Sequence, residues 1–139
     1  MADAMLHDGT PGGVKVTSIN PKDLIGAKKL SMTVLPDVAV AHGNHAMQDG
    51  ARKYGPYNWR SKNVGATTYI NAAKRHIAQW FDGQRIATDS GVHHLGHAMA
   101  CLAIILDAEA SGNLIDDRPE NGGGYCKLLE ELNARCTGN

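Results

Sequence analysis

The chain of 139 residues contains fourteen Lys and Arg side chains and fourteen Asp and Glu side chains, so its formal net charge is zero. This length suits one compact domain, and the balanced charge argues against sequence-specific nucleic-acid binding. No apolar run approaches the roughly 20 residues that span a bilayer, and the N-terminus lacks the pattern of a signal peptide. We therefore expect a cytoplasmic protein with no membrane partner.

Composition also indicates how the core is built. Hydrophobic residues make up 42% of the chain, but aromatic residues only 5%, and alanine supplies much of the remainder. Small side chains favour closely packed helices. The three cysteines are widely spaced and odd in number, so free thiols are expected rather than a disulfide framework.

The first third of the chain predicts an irregular start and then a helix. Residues 1–19 have no helical periodicity, and Val14–Ile19 alternates like a single short strand, so this segment is expected to be flexible or extended. A helix is predicted from Pro36 to about Lys53, where Gly55–Pro56 stops it.

Two alanine-rich helices are predicted in the middle of the chain. The first is capped by Thr67 or Thr68 and stops at Gly83. The second is capped at Asp89–Ser90 and covers about residues 91–110.

The C-terminal part reads as a glycine linker followed by a short amphipathic helix over Lys127–Arg135. The predicted fold is therefore all-α, a compact domain of three main helices plus this short helix. The domain boundaries are 1–19 for the N-terminal segment, 20–119 for the helical nucleotide-binding domain and 120–139 for the tail. So short a helix must dock on its own body or on a neighbouring subunit, and we expect a homo-oligomer, a dimer or tetramer.

Histidines are the unusual feature, because six of the seven lie in the central part of the chain. His94 and His97, or His93 and His97, have the helical spacing of two metal ligands, although buried or substrate-facing histidines fit the same pattern. His76 is either a core histidine or, beside Arg75, a phosphate contact or proton donor.

Carboxylates are the ligands that Mg²⁺ or Mn²⁺ needs beside phosphate substrates. The candidates are Asp49, Asp82, Asp89, Asp107 and Glu109. We expect the metal near Asp49, Asp82 and Asp107. Because Asp107 ends an apolar run, a solvated helix end is its alternative role.

The segment between the first two predicted helices combines the elements of nucleotide recognition. Arg52 or Lys53 could bind phosphate, Asn58 could read a base edge, and Tyr54 or Trp59 could stack on the base. A structural turn with Trp59 in the core is the alternative. The chain contains no Walker A loop and no Gly-x-Gly-x-x-Gly motif.

Four ordered motifs resemble the phage-borne family described as dATP/dGTP diphosphohydrolase, N-terminal domain, over about residues 20–119. They are Asn20-Pro21-Lys22-Asp23, Gly50-Ala-x-Lys53-Tyr54-Gly55-x-x-Asn58-Trp59, Arg75-His76 and Ser90-Gly91-Val-His-His94-Leu95-x-His97-Ala98.

The resemblance implies a phage protein acting in the bacterial host cytoplasm, with an all-α domain similar in outline to MazG-like nucleotide pyrophosphohydrolases. Those proteins are helical oligomers that use clustered carboxylates and magnesium. This chain has no Glu-x-x-Glu pair followed by Glu-x-x-Asp, and it reads Gly83-Gln84-Arg85 where Gly-Glu-Asp is expected.

The leading hypothesis is an enzyme that converts a purine deoxynucleoside triphosphate to the monophosphate and pyrophosphate. A protein that binds or sequesters a host nucleotide signal without hydrolysing it is the alternative, and a helical scaffold is a third. The expected catalytic residues are His76, His94 and Asp49. The expected substrate contacts are Arg52, Lys53, Tyr54, Asn58, Trp59, Arg75 and His97.

Overall fold

The structure, a computed structural model, describes residues 18–120 and 122–138, which form six helices and one short strand pair. The helices are α1 (Pro21–Gly26), α2 (Asp37–Tyr54), α3 (Asn58–Ser61), α4 (Ala66–Phe81), α5 (His94–Ser111) and α6 (Gly124–Thr137). The strands are β1 (Val64–Gly65) and β2 (Leu114–Ile115). The predicted all-α class is confirmed. The strand expected over residues 14–19 lies outside the described residues, apart from Ser18 and Ile19.

The chain divides into two compact units between Pro36 and Asp37. The first contains α1, in which Pro21 occupies the first helical turn and the Asn20 side chain accepts a hydrogen bond from the Lys22 backbone N–H at 2.9 Å. The second contains α2 to α6. The domain boundaries predicted at residues 19 and 119 stay predictions.

Two of the predicted helix ends are correct because glycine permits the required backbone. Gly55, at φ +88°, follows the last residue of α2, and its N–H donates to the Ala51 carbonyl at 2.9 Å. Gly83, at φ +107°, lies two residues after the end of α4, and its N–H donates to the Trp80 carbonyl at 3.0 Å. Left-handed backbone of this kind costs glycine little and other residues more.

The predicted N-terminal caps are wrong at both central helices. Gly65 is the N-cap of α4, and the Thr67 backbone N–H donates instead to the Asp117 carboxylate at 2.8 Å. His93 is the N-cap of α5, and its Nδ1 accepts from the Leu95 N–H at 3.0 Å. In each case the free backbone N–H at the start of the helix is satisfied by a side chain other than the predicted capping residues.

A short parallel pairing ties the start of α4 to the end of α5. Val64 is in register with Leu114 and Gly65 with Ile115. The Asn113 side-chain NH₂ extends this link by donating to the carbonyls of Trp59 and, at 3.0 Å, Lys62. The two strands therefore hold α3 and the start of α4 against the far end of α5.

Helix α5 packs against both α2 and α4, and the buried apolar side chains among residues 18–120 and 122–138 are small. They are Ala46, Val64, Ala66, Ala73, Ala87, Val92, Ala98, Ala100 and Ala108. The expectation of close helix packing through small side chains is met in this part of the chain.

The closest backbone approach is at Gly96, not at the two glycines expected from the sequence. A Cβ at Gly96 would lie 2.5 Å from the His42 carbonyl oxygen. Gly43 faces only the Met99 side chain, at 3.7 Å from its virtual Cβ, and Gly50 has nothing within 4 Å. Gly96 on α5 is therefore the position that lets α2 come close.

Helix α6 is longer than the predicted Lys127–Arg135, and none of its described residues is buried. Its large apolar side chains are exposed at Tyr125, Leu128, Leu129 and Leu132. The cysteines are unpaired thiols, as predicted. Among the helices that the structure describes, none is long and apolar enough to span a membrane.

Candidate functional site

A cleft of about 290 Å³ lies among α2, α3, α4 and α5. This volume is at the lower end of the roughly 300 to 1,000 Å³ of small-molecule sites. Its walls are apolar at Ala46, Ala72 and Ile104. Eight residues singled out from the sequence line it: Asp49, Lys53, Tyr54, Asn58, Trp59, His76, Asp89 and His97.

The α2 wall of the cleft contains a buried carboxylate paired with two cations. Asp49 Oδ1 accepts from Arg52 Nη2 at 2.8 Å, and Asp49 Oδ2 lies 2.8 Å from Lys53 Nζ. The hydrogen bonds from Lys53 and then Arg52 lower the pKa of Asp49, and the same carboxylate raises the pKa of Lys53. Lys53 is thus held as a cation beside the cleft.

Trp59 is fixed by an acid on α5. Its indole N–H donates to Asp107 Oδ2 at 2.6 Å, and Arg60 binds the same carboxylate through two nitrogens at 2.8 and 2.9 Å. Arg60 first and Trp59 second lower the pKa of Asp107 to about 2. The indole is therefore oriented at the cleft by its N–H, and it is only partly buried.

Three histidines meet between α4 and α5. His76 Nδ1 and His94 Nδ1 are 2.8 Å apart, and His94 Nε2 lies 2.7 Å from the Gln84 side-chain oxygen. The ring of His97 stacks on that of His76, with centroids 4.5 Å apart and planes 18° apart. His97 Nε2 in turn lies 2.7 Å from the Ser90 hydroxyl.

The environment favours the neutral form of two of these rings. Burial lowers the pKa of His76, and the neighbouring His97 and His94 lower it further. Burial also lowers the pKa of His97, against the opposing charges of Asp49 and Asp89. A neutral imidazole at the wall of a cleft can accept a proton.

Comparison with known families identifies the chain. A family model described as dATP/dGTP diphosphohydrolase, N-terminal, matches residues 20–118. The chain belongs to this family. No curated protein and no solved structure matches it.

In this member of the dATP/dGTP diphosphohydrolase N-terminal family, the motifs quoted from the sequence converge. Lys53, Asn58, Trp59, His76 and His97 come from three of those motifs and line one cleft. The first motif has a different place, since Asn20 caps α1 in the other unit.

Five of the predicted site residues do not line the cleft. Arg52 points its guanidinium at Asp49, Arg75 is exposed on α4, and His94 is buried behind His76 with 2% of its surface exposed. Asp82 is the exposed C-cap of α4, and Asp107 is bound to Trp59 and Arg60.

The described carboxylates do not fit a preformed magnesium site. Among residues 18–120 and 122–138, no three His, Cys, Asp or Glu side chains are grouped as a metal ion requires. Both oxygens of Asp49 are paired with cations, and both oxygens of Asp107 are hydrogen-bonded. Asp49, Asp82 and Asp107 are therefore not brought together, and metal-assisted chemistry stays a prediction.

Several residues of the cleft and its surroundings were not predicted as site residues. Tyr69 and Cys101 line the cleft, and burial raises the pKa of both side chains. Gln84 and Ser90 do not line the cleft, but they are hydrogen-bonded to His94 and His97, respectively. Asp89, one of the carboxylates considered from the sequence as metal ligands, also lines the cleft, whereas Gln84 lies in a loop with no periodicity to mark it.

Proposed function

We propose that this chain hydrolyses a purine deoxynucleoside triphosphate to the monophosphate and pyrophosphate. The observation that carries the proposal is the cleft that combines Lys53, held as a cation by Asp49, with His76, whose pKa is lowered. A cation for phosphate oxygens and a base for water are what phosphoanhydride hydrolysis needs. The family description supplies dATP and dGTP as the substrates to test first.

Each wall of the cleft has a distinct role in this proposal. The Lys53 ammonium makes charge-assisted hydrogen bonds to phosphate, while Asp49 keeps it protonated and in place. Asn58 offers amide groups to a base edge. Tyr54 and Trp59 offer aromatic rings at the cleft, and Asp107 orients the Trp59 indole through its N–H.

Non-catalytic nucleotide binding is the second candidate. It is favoured by one observation, that the described residues hold no cluster of carboxylates for the metal on which the MazG-like proteins depend. Such a protein would retain a nucleotide in the cleft unchanged.

The deciding experiment incubates the purified protein with dATP, dGTP, dCTP, dTTP, ATP and GTP. Each nucleotide is tested with Mg²⁺, with Mn²⁺ and with EDTA, and the products are separated by anion exchange. We expect dAMP or dGMP with pyrophosphate, and the metal arms test Mg²⁺ or Mn²⁺ as the cofactor. Tight binding with unchanged nucleotide would support the second candidate, and no binding would support a scaffold.

The matched control for this assay is His45→Ala. His45 is an exposed histidine on α2 that does not line the cleft, whereas His76→Ala removes the candidate base. We expect His45→Ala to retain wild-type turnover and His76→Ala to lose it by about 10²- to 10⁴-fold, the usual contribution of a general base. Equal turnover in the two variants would remove His76 from the reaction.

A further inference from the structure

Gln84, His94 and His76 form a chain of side chains that leads from the protein surface to the cleft. Gln84 is exposed in the turn after α4, His94 is buried at the start of α5, and His76 lines the cleft. The two links in this chain measure 2.7 Å and 2.8 Å. Both distances are those of normal hydrogen bonds.

The positions of the protons along this chain follow from its chemistry. The Gln84 side-chain oxygen only accepts, so His94 Nε2 must be the donor to it. In a neutral His94 ring, Nδ1 then has a lone pair. The two Nδ1 atoms, 2.8 Å apart, share one proton, so His76 Nδ1 is the donor to His94.

In the neutral His76 ring, which its lowered pKa favours, the remaining nitrogen then carries a lone pair. Nδ1 of this ring is turned to His94 while the ring itself lines the cleft, which leaves Nε2 as the nitrogen available to a ligand. His97 does not offer the same atom, because its Nε2 is hydrogen-bonded to Ser90. The two stacked histidines, His76 and His97, thus differ in whether Nε2 is available to a ligand.

We propose that Gln84 and His94 are positioning residues that fix the Nδ1-protonated tautomer of His76, so that His76 Nε2 is the proton acceptor of the cleft. The inference rests on the proposed hydrolysis for the identity of the proton donor, which is the attacking water. The arrangement resembles a catalytic triad in which a carboxylate orients the catalytic histidine. Here a neutral histidine and an amide take the place of that carboxylate.

Water gives one proton to His76 Nε2, and its oxygen forms a bond to the α-phosphorus. The bond from that phosphorus to the α,β-bridging oxygen breaks, and pyrophosphate leaves with the electron pair. The His76 imidazolium then returns its proton to solvent. The charged groups around the ring are Arg75 on its own helix and Asp89 in the loop before α5.

The test begins with the tautomer itself, read in the protein without nucleotide. Long-range ¹H–¹⁵N NMR on histidine-labelled protein distinguishes a protonated from an unprotonated ring nitrogen. In the wild type we expect His76 protonated at Nδ1 and not at Nε2. Gln84→Leu, which removes the acceptor at an exposed position, should mix the two tautomers, and Gln84→Glu should retain the wild-type one.

Kinetics on the same variants provide the second readout. Gln84→Leu should lower kcat about 10- to 100-fold with little change in KM, as loss of an orienting partner does. Gln84→Glu should keep the wild-type kcat because a carboxylate oxygen also accepts a hydrogen bond from His94. The control Gln79→Leu, an exposed glutamine of α4 outside the cleft, should behave as wild type.

Two results would overturn the inference: a wild-type His76 protonated at Nε2, or a Gln84→Leu variant with the wild-type tautomer and kcat. Its failure is distinguishable from failure of the proposed function. If no nucleotide is hydrolysed, hydrolysis and the role of Nε2 in it are both rejected, while the NMR spectra still decide whether Gln84 and His94 set the tautomer.

Discussion

Lys53 is the residue on which nucleotide affinity should depend most directly, since it is the cation of the cleft lining and Asp49 holds its Nζ at 2.8 Å. Lys53→Ala should weaken nucleotide binding by about 1 to 3 kcal/mol, the usual value of a charge-assisted hydrogen bond. Isothermal titration calorimetry measures this loss of binding free energy. EDTA in the buffer prevents metal-dependent turnover during the titration. Lys74→Ala, an exposed lysine outside the cleft, is the control. Equal losses in both variants would place the phosphates elsewhere.

His76 sets the expected pH dependence. Burial, His97 and His94 lower its pKa, so it stays unprotonated at pH values where an ordinary histidine, with a pKa near 6.5, is already charged. The acidic limb of kcat/KM should therefore lie below about pH 6.5. His45→Ala should leave the profile unchanged. A limb centred above that value would show that another group is the base.

The same lowered pKa has a consequence for folding. The unfolded chain takes up a proton at His76 more readily than the native protein does, so this group favours the native state above the ordinary histidine pKa. That contribution is lost as the pH falls through the lowered value. Melting temperature and turnover should hence both decline on the acidic side, and circular dichroism at each pH separates unfolding from protonation of the base.

At the scale of single elements, helices could be predicted from the sequence because their signals are local. Pro36 and Gly55 mark the ends of α2 within one residue, and Gly83 marks the end of α4 within two. Pairings between distant residues carry no such local mark. Asp117 therefore caps α4 from fifty residues away, and Asp107 binds Trp59 and Arg60 although its sequence position suggested a metal ligand.

Gly96 tests the packing of α2 on α5. Gly96→Ala would place a Cβ 2.5 Å from the His42 carbonyl oxygen, so the helices must separate, at a cost of about 1 to 3 kcal/mol in the free energy of unfolding. Gly50→Ala is the matched control in α2, because nothing lies within 4 Å of its virtual Cβ. There the lower flexibility of alanine should stabilise by about 0.5 to 1 kcal/mol. Urea unfolding curves compare the two, and a Gly96→Ala variant as stable as wild type would mean that α2 and α5 do not approach as described.

At the scale of the whole molecule, the distribution of apolar side chains favours association of two or more copies of the chain. Among the residues that the structure describes, the buried apolar ones are alanines and two valines, while larger side chains are exposed at Phe81 (86%) and Leu106 (67%). Full burial of a leucine or phenylalanine contributes about 1.5 to 3 kcal/mol, and a core of alanines forgoes that contribution. The described residues therefore leave apolar surface exposed that association could bury, as is the case for the separated subunits of an oligomer.

We therefore predict a homo-oligomer, a dimer or tetramer, in which α6 takes part. Leu128 and Leu132 are one helical turn apart on α6 and both are exposed, so a helix of this length gains stability when another surface covers that face. Light scattering should give a multiple of the 14.8 kDa chain mass, and Leu128→Glu with Leu132→Glu should reduce it. Asn133→Glu, an exposed substitution on the same helix, should leave the mass unchanged. A 14.8 kDa particle across micromolar concentrations would contradict association, and an oligomer unaffected by the double substitution would assign the interface to other exposed side chains such as Phe81 and Leu106.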